Sequence, residues 1–303
     1  MVRAVDFSRF KTEGAPRRSG RFGESTLMET TSREKTILDR IVAARRESIA
    51  HRKRSLPDAA LKFAVEKAGP PRNFSGALAR DSYNVIAELK KASPSRGILR
   101  QEYAPAFLAA SLEGAGAAAL SVLTEEDFFL GSLGDLKQAK KAAQIPILRK
   151  DFIIGPWQIW ETRAAGADSF LLIVAILEDA TLRELLEIGR SLKMEPLVEV
   201  HSREELRRAI SAEARIIGVN NRDLRDFKVR IETSLELIDA IPEECIAVSE
   251  SGLRTHADLD RLRSAGFDAF LVGEHLMKEA DPAVPLRELI GLTVDGATHH
   301  EGK

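Results

Sequence analysis

Eight short apolar runs, each followed by an amphipathic segment, succeed one another from Ser82 almost to the end of the chain. The runs are Val85 to Leu89, Ala118 to Leu123, Ile147 to Arg149, Ser169 to Val174, Leu197 to Val200, Ile216 to Val219, Ile246 to Val248 and Ala269 to Val272. Apolar spacing after each run predicts helices near Pro105 to Glu113, Leu133 to Ala143, Pro156 to Ala165, Asp179 to Leu192, Glu204 to Ile210, Ser234 to Ile241, His256 to Ala265 and Pro282 to Ile290. Strands joined through a helix by short connections pair in parallel with right-handed crossovers. Eight such units over roughly 210 residues predict an α/β protein closed as a (β/α)8 TIM barrel, because an open doubly wound sheet carries about five or six strands.

Helix stops support that count. Gly114, Gly116, Gly166 and Gly266 stand where a left-handed residue is expected after a helix. Ala165 to Leu171 resembles Ala265 to Leu271, as a helix stop, a tight turn and a buried strand demand the same residue types twice. The longest clearly apolar stretch, Phe170 to Leu177, suits a buried strand and is far short of the roughly 18 to 20 residues that span a bilayer. Ahead of the barrel, Ser32 to Ala68 predicts an N-terminal helical extension. Ile37, Ile41 and Val42 share one helix face, Arg45, Arg46, Arg52, Lys53 and Arg54 line the other, and a second helix takes Leu61, Phe63, Ala64 and Val65. Ser32 with Lys35 is a partial N-cap signal. Residues 1–31 are rich in Arg, Ser, Gly and Thr without an apolar period, so a poorly ordered leader is expected, with Met28 a second candidate start. Residues 32–290 then form one barrel domain with its helical extension, and residues 291–303 a polar tail.

With 45 Lys and Arg against 46 Asp and Glu, a net charge of −1 provides no global basic field for nucleic acid or anionic lipid. Acidic small substrates stay open, because local charge captures them. Cys245, the one cysteine, excludes an intramolecular disulfide and a Cys-rich metal site and fits a cytoplasmic protein. No GxGxxG follows the first strand and no GxxxxGK[ST] occurs, so dinucleotide and P-loop functions lose their main support. The six histidines are scattered and no metal site is expected; His201 and His256 read as surface residues at helix starts. Trp157 and Trp160, at helical spacing, read as packing residues.

Functional groups of such a barrel come from the C-terminal ends of its strands. Those ends supply Glu88, Lys90 and Lys91, then Arg149, Lys150 and Asp151, Glu199, Asn220, Asn221 and Arg222, Glu250, Ser251 and Gly252, and Gly273 and Glu274. Ionisable side chains inside an apolar alternation are costly unless paired or used. By period two, Glu88 and Lys90 share the face of Ile86. One Glu88–Lys90 pair could be structural; its convergence with Lys150, Glu199, Asn220 and Ser251 favours a general acid, a general base and an anchor for a carboxylate-bearing substrate. Gly252 and Gly273 would let backbone N–H groups approach a phosphate, with a helix turn after Gly273 and Ser93, Ser95 or Lys91 closing the site; glycines serving tight turns is the plain alternative.

Five motifs resemble those of the indole-3-glycerol-phosphate synthase family of tryptophan biosynthesis: Ile86 to Ser95, Pro146 to Ile153, Pro196 to His201, Ile217 to Leu224 and Val248 to Leu253. They occur in order at family spacing, and the resemblance covers roughly residues 32–290. It implies a cofactor-free lyase that converts 1-(2-carboxyphenylamino)-1-deoxyribulose 5-phosphate to indole-3-glycerol phosphate, releasing carbon dioxide and water. Carried to matching positions, Lys150 would be the general acid on the ribulose carbonyl oxygen and Glu199 the base or relay in dehydration. Lys90 would hold the anthranilate carboxylate, with either Lys90 or Lys150 supplying the proton for loss of water; Glu88 would tune Lys90 and stabilise positive charge on the anilino nitrogen, and Asn220 would anchor substrate oxygens with support from Arg222 and Ser251. Ser93, Gly252 and Gly273 would contribute to the phosphate site, and Phe152 would pack on the aromatic ring. The helical extension would cover the barrel near the substrate.

Departures are small: Leu89 stands where an aromatic is often found, Asn221 where Ser is common, and Glu274 where Ser is an alternative. A rival of another kind is phosphoribosylanthranilate isomerase, which expects a catalytic Cys after the first strand; another is a non-catalytic barrel scaffold. The expected ligand is a small phosphorylated substrate, with no nucleic acid and no membrane. Monomer and homodimer stay open, as does contact with other tryptophan-pathway enzymes.

Overall fold

Alternation within each apolar run decides which side chains fill the barrel and which meet the helices. The computed structural model describes residues 36–223 and 227–292, and in it the eight runs are eight strands. They are β1 (Asn84–Leu89), β2 (Ala119–Leu123), β3 (Ile147–Lys150), β4 (Ser169–Ile173), β5 (Leu197–Val200), β6 (Ile216–Asn220), β7 (Ile246–Glu250) and β8 (Ala269–Val272). All neighbours pair in parallel, and β1 closes the barrel against both β2 and β8. The expected leader over residues 1–31, the Ser32–Lys35 cap signal and the tail beyond Leu292 lie outside the described residues.

Three helices precede the barrel: α1 (Ile37–Ser55), α2 (Asp58–Lys67) and α3 (Phe74–Leu78). Thr36 caps α1, its side chain accepting from the Asp39 N–H while the Asp39 carboxylate accepts from the Thr36 N–H. Within and after the barrel run α4 (Pro105–Gly114), α5 (Leu133–Ala142), α6 (Pro156–Ala164), α7 (Asp179–Ser191), α8 (Arg203–Ser211), α9 (Glu232–Leu237), α10 (His256–Ser264), α11 (Glu274–Lys278) and α12 (Ala283–Leu289). The run expected over Ser169 to Val174 ends as a strand at Ile173, and the apolar stretch that continues to Leu177 passes into a 3-10 turn, Val174–Ile176. The helix expected from Ser234 to Ile241 starts at Glu232 and finishes as a 3-10 turn over Ile238–Ala240. A two-residue antiparallel hairpin, Ala92–Ser93 with Gly97–Ile98, follows β1 and has no signal in the apolar pattern.

Ile86, Ala119, Leu148, Leu171, Leu197, Ile216, Val248 and Ala269, one from each strand, pack inside the barrel with Phe74 and Leu78 of α3. Their neighbours in sequence, such as Val85, Ala87, Leu120, Phe170, Val198, Ile217 and Phe270, face outward against Leu108, Leu136, Leu182, Leu206 and Leu259 of the helices. Each such buried side chain contributes roughly 1.5–3 kcal/mol. The same parity sends Glu88, Lys150, Glu199 and Glu250 inward and Arg149 outward.

Gly116, Gly166 and Gly266 adopt positive φ, whereas Gly114 ends α4 in helical conformation, so the expected left-handed stop falls two residues later. The matched Ala-Gly segments have a further common cause. Asp168 accepts the Ile147 N–H at the start of β3 and Asp268 accepts the Ala247 N–H in β7, both at 2.8 Å. Each carboxylate satisfies a strand-start donor that the neighbouring strand does not reach.

Outside the barrel, Arg149 is buried beneath α6, 2.9 Å from Glu161 and 2.9 Å from Asp151. Asp151 also accepts from Thr124 and from Arg45 of α1, so one buried carboxylate docks the N-terminal helix on the strand that carries Lys150. Two guanidiniums beside Asp151 outweigh its burial and hold its carboxyl below the usual carboxylate range. Asp151→Ala should therefore destabilise the protein by roughly 3–5 kcal/mol, since Arg45 loses its carboxylate while staying buried. Urea denaturation checks this, and a change under about 1 kcal/mol would show that α1 does not depend on the pair.

Candidate active site

The C-terminal ends of the strands open into a cavity of about 970 Å³. Its wall includes Glu88, Lys90, Lys150, Glu199, Asn220, Ser251, Arg222, Phe152, Ser93, Gly252 and Gly273, all expected from the sequence to serve a site. Ile37, Leu38 and Ile41 of α1 form part of the same wall, so the helical extension covers the mouth. Lys91 does not line it; its charge bears on Asp135 in α5 instead.

Lys150 is the centre of the charge arrangement. Its Nζ donates to Glu250 Oε2 at 2.6 Å and to Glu199 Oε2 at 3.0 Å, both carboxylates being almost fully buried. Lys90 Nζ pairs with Glu88 Oε1 at 2.6 Å on the neighbouring part of the wall. Burial alone would lower the Lys150 ammonium, but Glu199, Glu250 and Glu88 outweigh it and push its pKa well up. Glu199 behaves in the opposite sense: burial opposes its ionisation, yet Lys150 and His201 hold it well below the usual range. Glu250 is pushed up to about 7, by burial first and then by the charges of Glu199 and Glu88, against the pull of Lys150.

Two glycines make room for these carboxylates. A Cβ on Gly218 would sit 2.2 Å from Glu250 Oε1, and one on Gly273 would sit 2.4 Å from Glu88 Oε1. Side chains there would expel the acids from the barrel axis, so Gly273 is required for close approach as well as for any anion contact.

Asn220 and Asn221 divide their work by strand parity. Asn220 faces the cavity and its Oδ1 accepts from Ser251 Oγ at 2.8 Å and from the Arg222 N–H at 3.0 Å. Asn221 faces outward, bonded to Ser249, Ser234 and the Ser251 carbonyl. That network holds Ser251 at φ 70°, a left-handed conformation that costs a non-glycine residue about 1 to 2 kcal/mol. Gly252 follows at φ 86°.

The corner expected to take phosphate contains Ser93, Gly252 and Gly273, with α11 beginning at Glu274 as anticipated. Ser93 Oγ is buried without a hydrogen-bond partner. Glu274 is more engaged than its sequence position suggests, since its carboxylate pairs with Arg222 at 3.2 Å, Arg96 at 3.4 Å and Lys278 at 2.6 Å. Phe152 packs near Phe129 with ring centroids 6.1 Å apart. Phe129 is presented by a tight loop in which the buried Glu125 carboxylate accepts from the N–H groups of Asp127, Phe128 and Phe129.

Two groups escape the sequence expectations. Glu250 reads there only as a polar strand end, although its inward parity matches that of Val248. His201, expected at the surface, instead has a side chain only 13% exposed, with Nε2 3.3 Å from Glu199 Oε1 and Nδ1 3.1 Å from Glu205 Oε2. His256, by contrast, is exposed, its Nδ1 meeting the Leu289 carbonyl. Trp157 is buried beside Arg52, in keeping with a packing role.

The family model for indole-3-glycerol phosphate synthase matches residues 38–289. A protein of that description from Acidithiobacillus ferrooxidans is 48% identical over 257 residues, covering 84% of this chain and 98% of its own. Those from Polaromonas and Burkholderia ambifaria are each 46% identical with the same coverage. Among solved structures, thiamine phosphate pyrophosphorylase from Pyrococcus furiosus superposes with a TM-score of 0.53 at 15% identity, covering 73% of this chain and 97% of its own. The 3-hexulose-6-phosphate synthase of Salmonella typhimurium gives 0.55 at 13%, covering 69% and 97%; both likenesses concern the barrel fold. Matched over nearly all of its barrel and helical extension, the chain belongs to the indole-3-glycerol phosphate synthase family.

Proposed function

We propose that this chain closes, decarboxylates and dehydrates 1-(2-carboxyphenylamino)-1-deoxyribulose 5-phosphate to indole-3-glycerol phosphate, and that the inward charge layer carries the chemistry. The observation that supports the residue roles most directly is Lys150, a half-buried cation held between two carboxylates and facing the same cavity as the Glu88–Lys90 pair.

In the first step Lys150 protonates the ribulose carbonyl oxygen while the ring carbon bearing the carboxylate attacks the carbonyl carbon. The intermediate carries positive charge on nitrogen, which Glu88 and Glu250 stabilise in a water-poor site. Loss of carbon dioxide returns the C–C bonding pair to the ring. Dehydration then needs one proton on the leaving hydroxyl and removal of one from the adjacent carbon, with Glu199 as base. Two protons are donated and one is taken, so each turnover consumes one proton overall. Glu199 lies 3.0 Å from Lys150 and can return its proton there directly. Lys90, whose side chain is 17% exposed, holds the substrate carboxylate and is placed to regain the net proton from solvent. Asn220, Ser251 and Arg222 position substrate oxygens, Phe152 packs on the aromatic ring, and Ser93, Gly252 and Gly273 receive the phosphate.

The isomerase alternative has no thiol to use. Cys245 lies before β7, at the opposite end of the barrel, with Sγ on the Ala214 carbonyl. Among the described residues no helix is long and apolar enough to cross a membrane. The proposed setting is the cytoplasm, with a small phosphorylated substrate as the partner and a monomer or homodimer as the working form.

Adding the carboxyphenylamino-deoxyribulose phosphate to the protein should generate indole fluorescence, and folded protein that gives none overturns the assignment. Lys150→Met should lower kcat by roughly 10²–10⁴-fold while the chain stays folded, because Glu250 readily takes up a proton when its cation is removed. Circular dichroism with steady-state kinetics reads both; near-normal kcat would reject Lys150 as the acid. Glu199→Gln should reduce kcat by about 10² or more, and an unchanged rate would remove the base role from Glu199.

A further inference from the structure

Glu199 presents one oxygen to each of two basic side chains. Oε2 accepts from Lys150, and Oε1 lies 3.3 Å from His201 Nε2. His201 follows Glu199 by two residues, so both project to the same side of the extended chain. The imidazole is in turn held from α8, where Glu205 Oε2 accepts the His201 backbone N–H at 2.8 Å and lies 3.1 Å from Nδ1. Glu205 is fixed by the start of its own helix: Ser202 is the N-cap, and its Oγ accepts the Glu205 N–H at 3.2 Å. The result is a series of contacts, Glu205 to His201 to Glu199 to Lys150, running from a helix cap into the cavity, in which the His201–Glu199 step is an ion-pair contact and not an aligned hydrogen bond.

We propose that His201 is a positioning residue for Glu199, a clamped imidazolium that fixes the carboxylate's orientation and keeps it ionised for proton abstraction. The inference rests on the base role assigned to Glu199 above. The groups around His201 favour its charged form. Burial works against the cation, but Glu199 and Glu205 outweigh it and raise its pKa to about 10. The turn Val174–Ile176, packed on β5 and α8, carries no ionisable side chain, and Asn220 and Asn221 on the adjoining strand are neutral. Arg208 of α8 is engaged with Asp179 and with the carbonyls of Val174 and Leu177. Among the described residues, His201 pairs with two carboxylates and with no cation.

Coupling between two titrating groups is reciprocal, so the stabilisation that His201 gives ionised Glu199 can be measured on His201 itself. The experiment is a titration of the 15N-histidine-labelled protein by NMR, with the His201 signal assigned by its loss in His201→Gln. The wild-type ring should remain doubly protonated through pH 8, and its midpoint should fall by about one pH unit or more in Glu199→Gln and in Glu205→Gln, a tenfold change in proton affinity for each unit. A midpoint near 6.5 in the wild type, or one that does not move in Glu199→Gln, overturns the proposal without bearing on the reaction assigned to the protein. Kinetics supply the second arm: Glu205→Gln should lower kcat several-fold with KM within about twofold, whereas a purely structural contact would lower the melting temperature and leave kcat intact. Failure of the wild type to turn over substrate would count against the proposed reaction and leave the NMR outcome to decide the clamp.

Discussion

Everything at the barrel mouth depends on keeping one ammonium, Lys150, among three inward carboxylates in a poorly solvated place. Burying a charge without a partner is prohibitive, and the Glu199 and Glu250 contacts at 3.0 and 2.6 Å offset that cost. The arrangement is one of mutual dependence. Lys150 keeps Glu199 ionised, and the acids keep Lys150 protonated. Packing supplies the room, because only glycine at 218 and 273 lets Glu250 and Glu88 lie so close to neighbouring backbone. The stacking of the strands therefore sets a lysine kept protonated beside a carboxylate kept ionised.

The strand that carries Lys150 is anchored from its other face. Arg149, one residue earlier, points outward and reaches Asp151, Glu161 and Thr162 beneath α6. Asp151, one residue later, receives Arg45 from α1. A three-residue stretch thus links the cavity, the helix layer and the N-terminal cover, and the orientation of Lys150 follows from contacts on the opposite side of the sheet. Ser251 is held in a comparable way: the outward Asn221 grips its carbonyl while the inward Asn220 accepts its hydroxyl.

The barrel was legible because a period of two in the strands and short connections leave few topologies, and the strand limits moved by only a residue or two in most runs. The inward set was legible by the same parity: Glu88 and Lys90 stand in phase with Ile86, and Glu199 in phase with Leu197. What parity could not convey was pairing across strands. Glu250 is in phase with Val248, yet its significance comes from Lys150 on a different strand, a contact that appears only once the barrel closes. His201 was misjudged because it precedes a helix cap, where histidines are commonly solvated. Two signals were present, the two-residue spacing from Glu199 and the Ser202-x-x-Glu205 cap motif, but the Glu205 carboxylate reaches back one residue beyond the cap to His201. The hairpin after β1 left no trace because two-residue strands have no period to detect.

Charge at the mouth can now be counted group by group. With Glu250 ionised, Glu88, Glu199 and Glu250 face Lys90, Lys150 and His201, while His201 also meets Glu205 and, on the same wall, Glu274 meets Arg222 and Arg96. An incoming carboxylate adds negative potential and raises the proton affinity of every acid nearby. Lys150 and His201 hold Glu199 below the usual carboxylate range, whereas burial and the neighbouring carboxylates push Glu250 up. Two acids on one lysine therefore serve different ends. In the proposed reaction Glu199, beside a second basic group, would stay available as a base, and Glu250, without one, would be the acid that answers the charge of the substrate. The overall sequence charge of −1 conceals this, because the arrangement that matters is local to paired side chains at one end of the barrel.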